Sequence, residues 1–167
     1  MIIPKKLEEL IKKEAEKLNV SEDELILNAI CEYLKLDADS RADIHFALSE
    51  KYLRDAEDLL KKKDFIQASE KAWGAASQVV KAVAAMRGKE LRSHGELHKF
   101  VAELRREYGD AELSTLWASA TSLHQNFYEN WLPSETVKDL VANVKKLLKE
   151  LAPSLAWDFR RTKGFRR

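Results

Sequence analysis

His124 lies within the stretch SATSLHQNFYENWLP, in which the other periodic positions are large and apolar. At helical spacing it falls on or beside a buried face shared with Trp117, Ala120 and Trp131. Asn126 falls on another face of the same helix. An imidazole buried without a hydrogen bond is unfavourable, so His124 requires a partner.

The sequence allows two interpretations of His124. It is either a structural histidine that is hydrogen-bonded within the core, or a side chain in the wall of a ligand pocket. For the second interpretation, the sequence places Trp73, His124 and Tyr128 among the candidate binding residues.

His94 and His98 are four residues apart in HGELH, so both project from one side of a helix, as two metal ligands would. The segment lacks the HExxH pattern of zinc proteases, and no third ligand is identifiable in the sequence. We therefore expect no metal site and no cofactor.

Arg87 with His94, and Arg92 with His98, form two arginine-spacer-histidine pairs. A metal-independent ribonuclease could use such a pair, because arginine neutralises a phosphate while histidine transfers a proton near neutral pH. The same spacing also arises by chance in a chain with 29 Lys and Arg and four His residues. Whether the protein is an enzyme is left undecided.

The carboxy-terminal segment WDFRRTKGFRR interleaves cations with aromatic rings. Arg160, Arg161 and Arg166 could follow phosphates while the rings stack on bases. A solvated, flexible end is the alternative, and we expect residues 153–167 to form such a tail.

Composition limits the class of protein. The 29 Lys and Arg residues nearly balance 28 Asp and Glu, so there is no general attraction for nucleic acid or membrane. One cysteine, no long apolar run and no signal-peptide core favour a cytoplasmic protein that does not enter a membrane. Five Gly and three Pro are too few for an all-β chain, so helices are expected.

Apolar periodicity predicts seven helices and an all-α fold. Two helices occupy residues 1–36, with Ser21 and Glu24 as a capping box, and residues 37–41 form a linker. Residues 42–152 form an up-and-down bundle of about five helices. Its helices are predicted at about 42–62, 65–87, 94–108, 111–131 and 134–151.

The bundle resembles a known family. The segments KKKDFIQASEKAWGAASQVVKAVAA, LRSHGELHKFV and LWASATSLHQNFYENWLP are similar to the archaeal PaREP helical proteins, a group placed in the HEPN superfamily of helical bundles. The resemblance implies dimerisation. It also implies either ribonuclease activity through an arginine-spacer-histidine motif, or nucleotide binding without catalysis. The helix holding His124 has no arginine in its preceding turns, which departs from the catalytic members.

Residues 1–36 are similar to ribbon-helix-helix segments, in which a short strand and two helices interlock as a dimer. Only Met1, Ile2 and Ile3 precede Pro4, so the polar side chains that read bases from the strand are absent. This favours a dimerisation element over a DNA reader.

Together these observations predict a non-catalytic HEPN-like module that binds nucleotide, RNA or a partner protein and forms a homodimer or higher homo-oligomer. A metal-independent ribonuclease is the first alternative. A DNA-binding regulator acting through the amino-terminal element is the second.

Overall fold

The structure is a computed structural model that describes residues 3–18 and 20–164, with side chains described as far as residue 152. Within these residues the chain forms seven helices and no strand, which confirms the predicted all-α class. The helices are Lys5–Leu18 (α1), Glu22–Tyr33 (α2), Ala38–Lys61 (α3), Phe65–Met86 (α4), His94–Tyr108 (α5), Glu112–Glu129 (α6) and Ser134–Gly164 (α7).

The chain divides into two compact units, Met1–Asp37 and Ala38–Arg167. In the first unit α1 and α2 contact each other, and Ser21 caps α2 by accepting a hydrogen bond from the Glu24 backbone N–H at 3.1 Å. Much of its apolar surface is exposed: Leu7, Leu10, Leu18, Ile30, Tyr33 and Leu34. The short strand suggested by the ribbon-helix-helix resemblance falls partly on Met1 and Ile2, which lie outside the described residues.

Two helix boundaries differ from the prediction by a full turn or more. Helix α3 begins at Ala38 rather than Ala42, so most of the expected linker belongs to its first turn. Asp39 suits that position because an acidic side chain stabilises the positive end of a helix. Helix α7 continues past Pro153 to Gly164 instead of ending near Leu151. The expected flexibility of residues 153–167 stays a prediction.

Helix α4 is central in the second unit and packs against α3, α5, α6 and α7. Every residue from Ala75 to Met86 is buried. The small side chains along this helix let its neighbours approach closely. At Gly74 an added Cβ would lie 2.9 Å from Cδ2 of Tyr52, so the Tyr52 ring of α3 packs directly on the α4 backbone.

Capping residues mark both ends of α5 and the end of α6. Ser93 and Glu96 form a capping box at the start of α5, as predicted, and Gly109 ends that helix in the left-handed conformation with φ 66°. Asn130 ends α6 in the same conformation with φ 48°. Among the described helices, none has the length and apolar character needed to cross a membrane.

Candidate functional site

Four aromatic side chains of the second unit meet as a ring cluster, defined here as Trp73, His94, His124 and Tyr128. The imidazole of His124 stacks on the indole of Trp73, with ring centroids 4.6 Å apart and planes 26° from parallel. His94 lies edge-on to both rings, 5.3 Å from Trp73 and 4.9 Å from His124. Tyr128 lies edge-on to His124 at 5.3 Å. The structure thus brings together four of the residues selected from the sequence.

Three helices supply the ring cluster. Trp73 comes from the central helix α4, and His94 is the first residue of α5, placed there by the Ser93 cap. His124 and Tyr128 are four residues apart on α6 and therefore lie one above the other on the same face. The cluster consequently depends on how α4, α5 and α6 pack together.

The solvent exposure of the side chains increases from Trp73 to Tyr128. Trp73 is 8% exposed, His94 and His124 are half-buried, and Tyr128 is 67% exposed. Tyr128 therefore offers an accessible ring face at the rim. Solvent-exposed tyrosine rings of this kind are common anchors for ligands and partner proteins.

The electrostatic environment of His124 favours the neutral imidazole. Burial lowers the pKa of His124 below its ordinary value, and the neighbouring charge of His94 lowers it further. Its Nδ1 atom is buried and has no hydrogen-bond partner. The structural interpretation of His124 required a hydrogen-bond partner, and this nitrogen has none. The pocket interpretation stays a prediction.

His98 takes part in a separate contact beside the cluster. The indole Nε1–H of Trp117 donates a hydrogen bond to His98 Nδ1 at 2.9 Å. This bond makes Nδ1 an acceptor and places the proton of a neutral His98 on Nε2. Trp117 in turn lies 5.3 Å from Trp73, so His98 is linked to the ring cluster through the two tryptophans.

The two arginines of the arginine-spacer-histidine pairs are bound to carboxylates. Arg87 donates to Glu107 at 2.6 Å and to the Tyr108 hydroxyl at 3.0 Å. Arg92 donates to Glu90 at 2.8 Å. Both guanidinium groups therefore have a carboxylate partner within the protein and do not need a phosphate to balance their charge. A joint catalytic role with His94 or His98 stays a prediction.

A negative charge lies at the start of α5, next to the ring cluster. Glu96 Oε2 accepts hydrogen bonds from the backbone N–H groups of Arg92 at 2.6 Å and Ser93 at 3.0 Å. These two bonds lower the pKa of Glu96, that from Arg92 most, so its carboxylate is ionised at neutral pH.

Sequence reasoning missed the role of Asn126, which was assigned to another face but is 1% exposed. Its Nδ2 donates to Ser69 Oγ at 2.9 Å, and its Oδ1 accepts from the backbone N–H groups of Trp131 and Leu132 at 3.0 and 2.8 Å. The N-W-L turn after Tyr128 is therefore fixed to α4. Only the fact that Asn commonly serves in turns could have signalled this.

The expected burial of Trp131 was wrong. Asn130 takes the left-handed conformation and ends α6, so Trp131 leaves the helical face and is 56% exposed. It joins Tyr128 as a second exposed aromatic side chain at this end of α6.

The basic residues proposed for the tail are described only in part. The backbones of Arg160 and Arg161 belong to α7, and their side chains are not described. Arg166 lies outside the described residues. Elsewhere in the described part of the chain, no group of three or more His, Cys, Asp or Glu side chains could hold a metal ion.

Comparison with known proteins supports a family assignment. Residues 44–148 match the model of the archaeal PaREP1/PaREP8 family. The chain is also similar to a protein from Sulfolobus solfataricus with a known crystal structure, at 31% identity and a TM-score of 0.57. That similarity covers 64% of this chain and 95% of the Sulfolobus chain. A search of curated proteins found no match.

Proposed function

The chain belongs to the archaeal PaREP1/PaREP8 family, and from this premise we propose that it is a non-catalytic, HEPN-like module that self-associates and binds a ligand at the ring cluster. The observation that carries the proposal is the stack of His124 on Trp73 with Nδ1 left unpaired, next to the exposed ring of Tyr128. The ligand classes are a nucleotide, RNA or a partner protein.

The chemistry of the rim suits these ligands. Bases of any sequence stack on aromatic side chains, and each such stack contributes roughly 1–3 kcal/mol. Protein interfaces likewise place tyrosine and tryptophan at their energetic centres. Tyr128 and Trp131 are the two large exposed aromatic side chains at the end of α6.

The arrangement around the histidines supports binding over catalysis. Cleavage of a phosphodiester needs a cation near the phosphate as well as a proton-transfer group. The arginines nearest in sequence, Arg87 and Arg92, are engaged with Glu107 and Glu90. His98 uses Nδ1 to accept from Trp117.

The first unit supports self-association. It spans Met1–Asp37, close to the size of roughly 40 residues below which a domain usually needs disulfides, metals or oligomerisation. Its exposed apolar side chains include Leu7 and Leu10 on α1 and Leu34 after α2. A second copy of the same unit could cover this surface.

Ligand binding is tested by titrating the purified chain with mononucleotides and a short single-stranded RNA, with tryptophan emission as the readout. We expect Tyr128→Ala to weaken binding about tenfold or more, because it removes a stacking surface. Tyr33→Ala is the matched control, since Tyr33 is also exposed but lies in the first unit. Equal affinity of wild type and Tyr128→Ala would disprove binding at this site. If nucleotides and RNA do not bind, the remaining form of the proposal is a protein ligand.

Catalysis and self-association have separate tests. Incubation with a labelled RNA pool in EDTA should leave the RNA intact; cleavage that is lost in His94→Ala or His98→Ala would replace the proposal with a ribonuclease.

Self-association is tested by light scattering, which should give a multiple of the monomer mass. Leu10→Lys should reduce that mass, whereas the exposed Lys13→Glu should not. A monomeric wild type would remove self-association from the proposal.

A further inference from the structure

The surroundings of the ring cluster disfavour a phosphate group. A helix N-terminus normally attracts anions through its free N–H groups and its dipole. At the start of α5 this position is taken by the chain itself, because the Glu96 carboxylate accepts from Arg92 and Ser93 backbone N–H groups. A ligand phosphate near His94 would meet this negative charge.

The nearest arginines in sequence offer no compensation without breaking existing bonds. Arg87 would have to leave Glu107 and the Tyr108 hydroxyl, and Arg92 would have to leave Glu90. An exchange of one carboxylate partner for a phosphate brings little net gain.

The ring faces themselves are suited to an uncharged flat ligand. The Tyr128 ring lies at the rim, edge-on to His124, and His124 stacks on Trp73 behind it. Burial lowers the pKa of His124, which favours the neutral imidazole in that stack. An exposed, uncharged ring such as that of Tyr128 gains most from a planar partner that loses little hydration when it is buried.

We infer that the group recognised at the ring cluster is an uncharged planar nitrogen heterocycle of the nucleobase type, and that a phosphate adds nothing to its binding. This inference rests on the proposed ligand-binding function and names the chemical class of its ligand. An RNA or nucleotide would then be held through a base and not through its backbone.

The unpaired nitrogen of His124 adds a preference for a ligand with an N–H edge. In the tautomer that carries its proton on Nε2, Nδ1 of His124 is an acceptor without a donor. An exocyclic amino group or ring N–H could supply that donor. Because the atom is covered, the ligand reaches it only after a small shift of a ring in the cluster.

The test compares adenosine, N6,N6-dimethyladenosine, AMP, inorganic phosphate and oligoadenylate by calorimetry on the full chain. AMP should bind no more tightly than adenosine, the dimethyl analogue should bind more weakly than adenosine, and inorganic phosphate should neither bind nor compete. The log–log dependence of oligoadenylate affinity on salt should have a slope near zero, against about −0.7 for each phosphate contact with a single strand.

The possible failures are distinguishable. AMP binding about tenfold or more tighter than adenosine, or competition by inorganic phosphate, would overturn the inference and leave the proposed binding function in place. If nucleosides, nucleotides and RNA all fail to bind, the nucleotide and RNA forms of the proposed function fail with it.

Glu96→Gln tests whether the negative charge of Glu96 is what disfavours a phosphate. The glutamine oxygen can still accept from the backbone of Arg92 and Ser93, so the cap and the fold should persist, as circular dichroism would verify. Removing the negative charge should raise AMP affinity relative to adenosine while adenosine affinity stays constant. An unchanged AMP-to-adenosine ratio would show that Glu96 does not exclude phosphate and would count against the inference.

Discussion

The imidazole of His124 lies on the indole of Trp73 with ring centroids 4.6 Å apart, and this stack joins α6 to α4. A protonated imidazole would be attracted to the electron-rich indole face. Burial opposes the charge, and so does His94, whose ring lies 4.9 Å away. The net effect is a lowered pKa for His124, so the neutral stack is the stable form at neutral pH.

This lowered pKa predicts a loss of stability in acid. In the unfolded chain His124 has its ordinary pKa of 6.5, so the unfolded state binds the proton more readily. The free energy of unfolding should therefore fall as pH decreases through 6.5 and level off below the folded-state pKa. Urea denaturation of wild type and His124→Gln over about pH 7.5 to 5.5 measures the effect. The variant should lose less stability across that interval, and equal losses in both proteins would contradict the prediction.

Replacement of Asn126 should destabilise the bundle more than replacement of most other polar residues. Asn126→Ala removes three hydrogen bonds and leaves the Trp131 and Leu132 N–H groups without their acceptor, while Ser69 keeps its bond to the Phe65 carbonyl. We expect a decrease of about 3 kcal/mol in the free energy of unfolding, at roughly 1 kcal/mol for each bond. The adjacent exposed Gln125→Ala should change it by less than about 0.5 kcal/mol. Similar losses for the two variants would show that Asn126 does not anchor the turn.

Helix positions and caps in this chain were readable from sequence because local rules determine them. Ser93 with Glu96 and Gly109 each mark a helix end through short-range hydrogen bonds or backbone conformation. The pocket interpretation of His124 also grouped Trp73 with His124, and the two rings do meet in the structure. The caps depend on residues a few positions apart, whereas the Trp73–His124 contact joins two helices that are distant in the sequence.

The features that the sequence did not predict depend on contacts between segments that are distant along the chain. Asn126 and Ser69 are 57 residues apart, and nothing in the helical period of α6 indicates that an amide will be buried there. Trp131 has the spacing of a buried residue, but the turn at Asn130 removes it from the helix. The carboxylate partner of Arg87, Glu107, likewise comes from the far end of α5.

Gly74→Ala should destabilise the bundle even though alanine is the better helix former. Its Cβ would lie 2.9 Å from Cδ2 and 3.3 Å from Cε2 of Tyr52, a side chain that is itself buried. Overpacking of this kind costs about 1–3 kcal/mol, which exceeds the gain of about 1 kcal/mol in helix propensity. Thermal unfolding should show a lower melting temperature.

Gly95→Ala is the matched control for Gly74→Ala. Gly95 is also helical, but an added Cβ would meet only Ser93 Oγ at 3.9 Å, an ordinary contact. This variant should be neutral or stabilised by up to about 1 kcal/mol. If Gly74→Ala also stabilises the protein, the close approach of α3 to α4 is wrong.

His98 should act as a structural partner of Trp117. The indole of Trp117 is 5% exposed, and its N–H depends on His98 Nδ1. His98→Ala removes that acceptor and should lower the free energy of unfolding by about 1 kcal/mol, whereas the exposed neighbour Lys99→Ala should have little effect. Because His98 lies outside the ring cluster, nucleoside affinity should stay the same in His98→Ala. A loss of affinity without a loss of stability would instead place His98 in contact with the ligand, and it would extend the binding site along the Trp73–Trp117 contact.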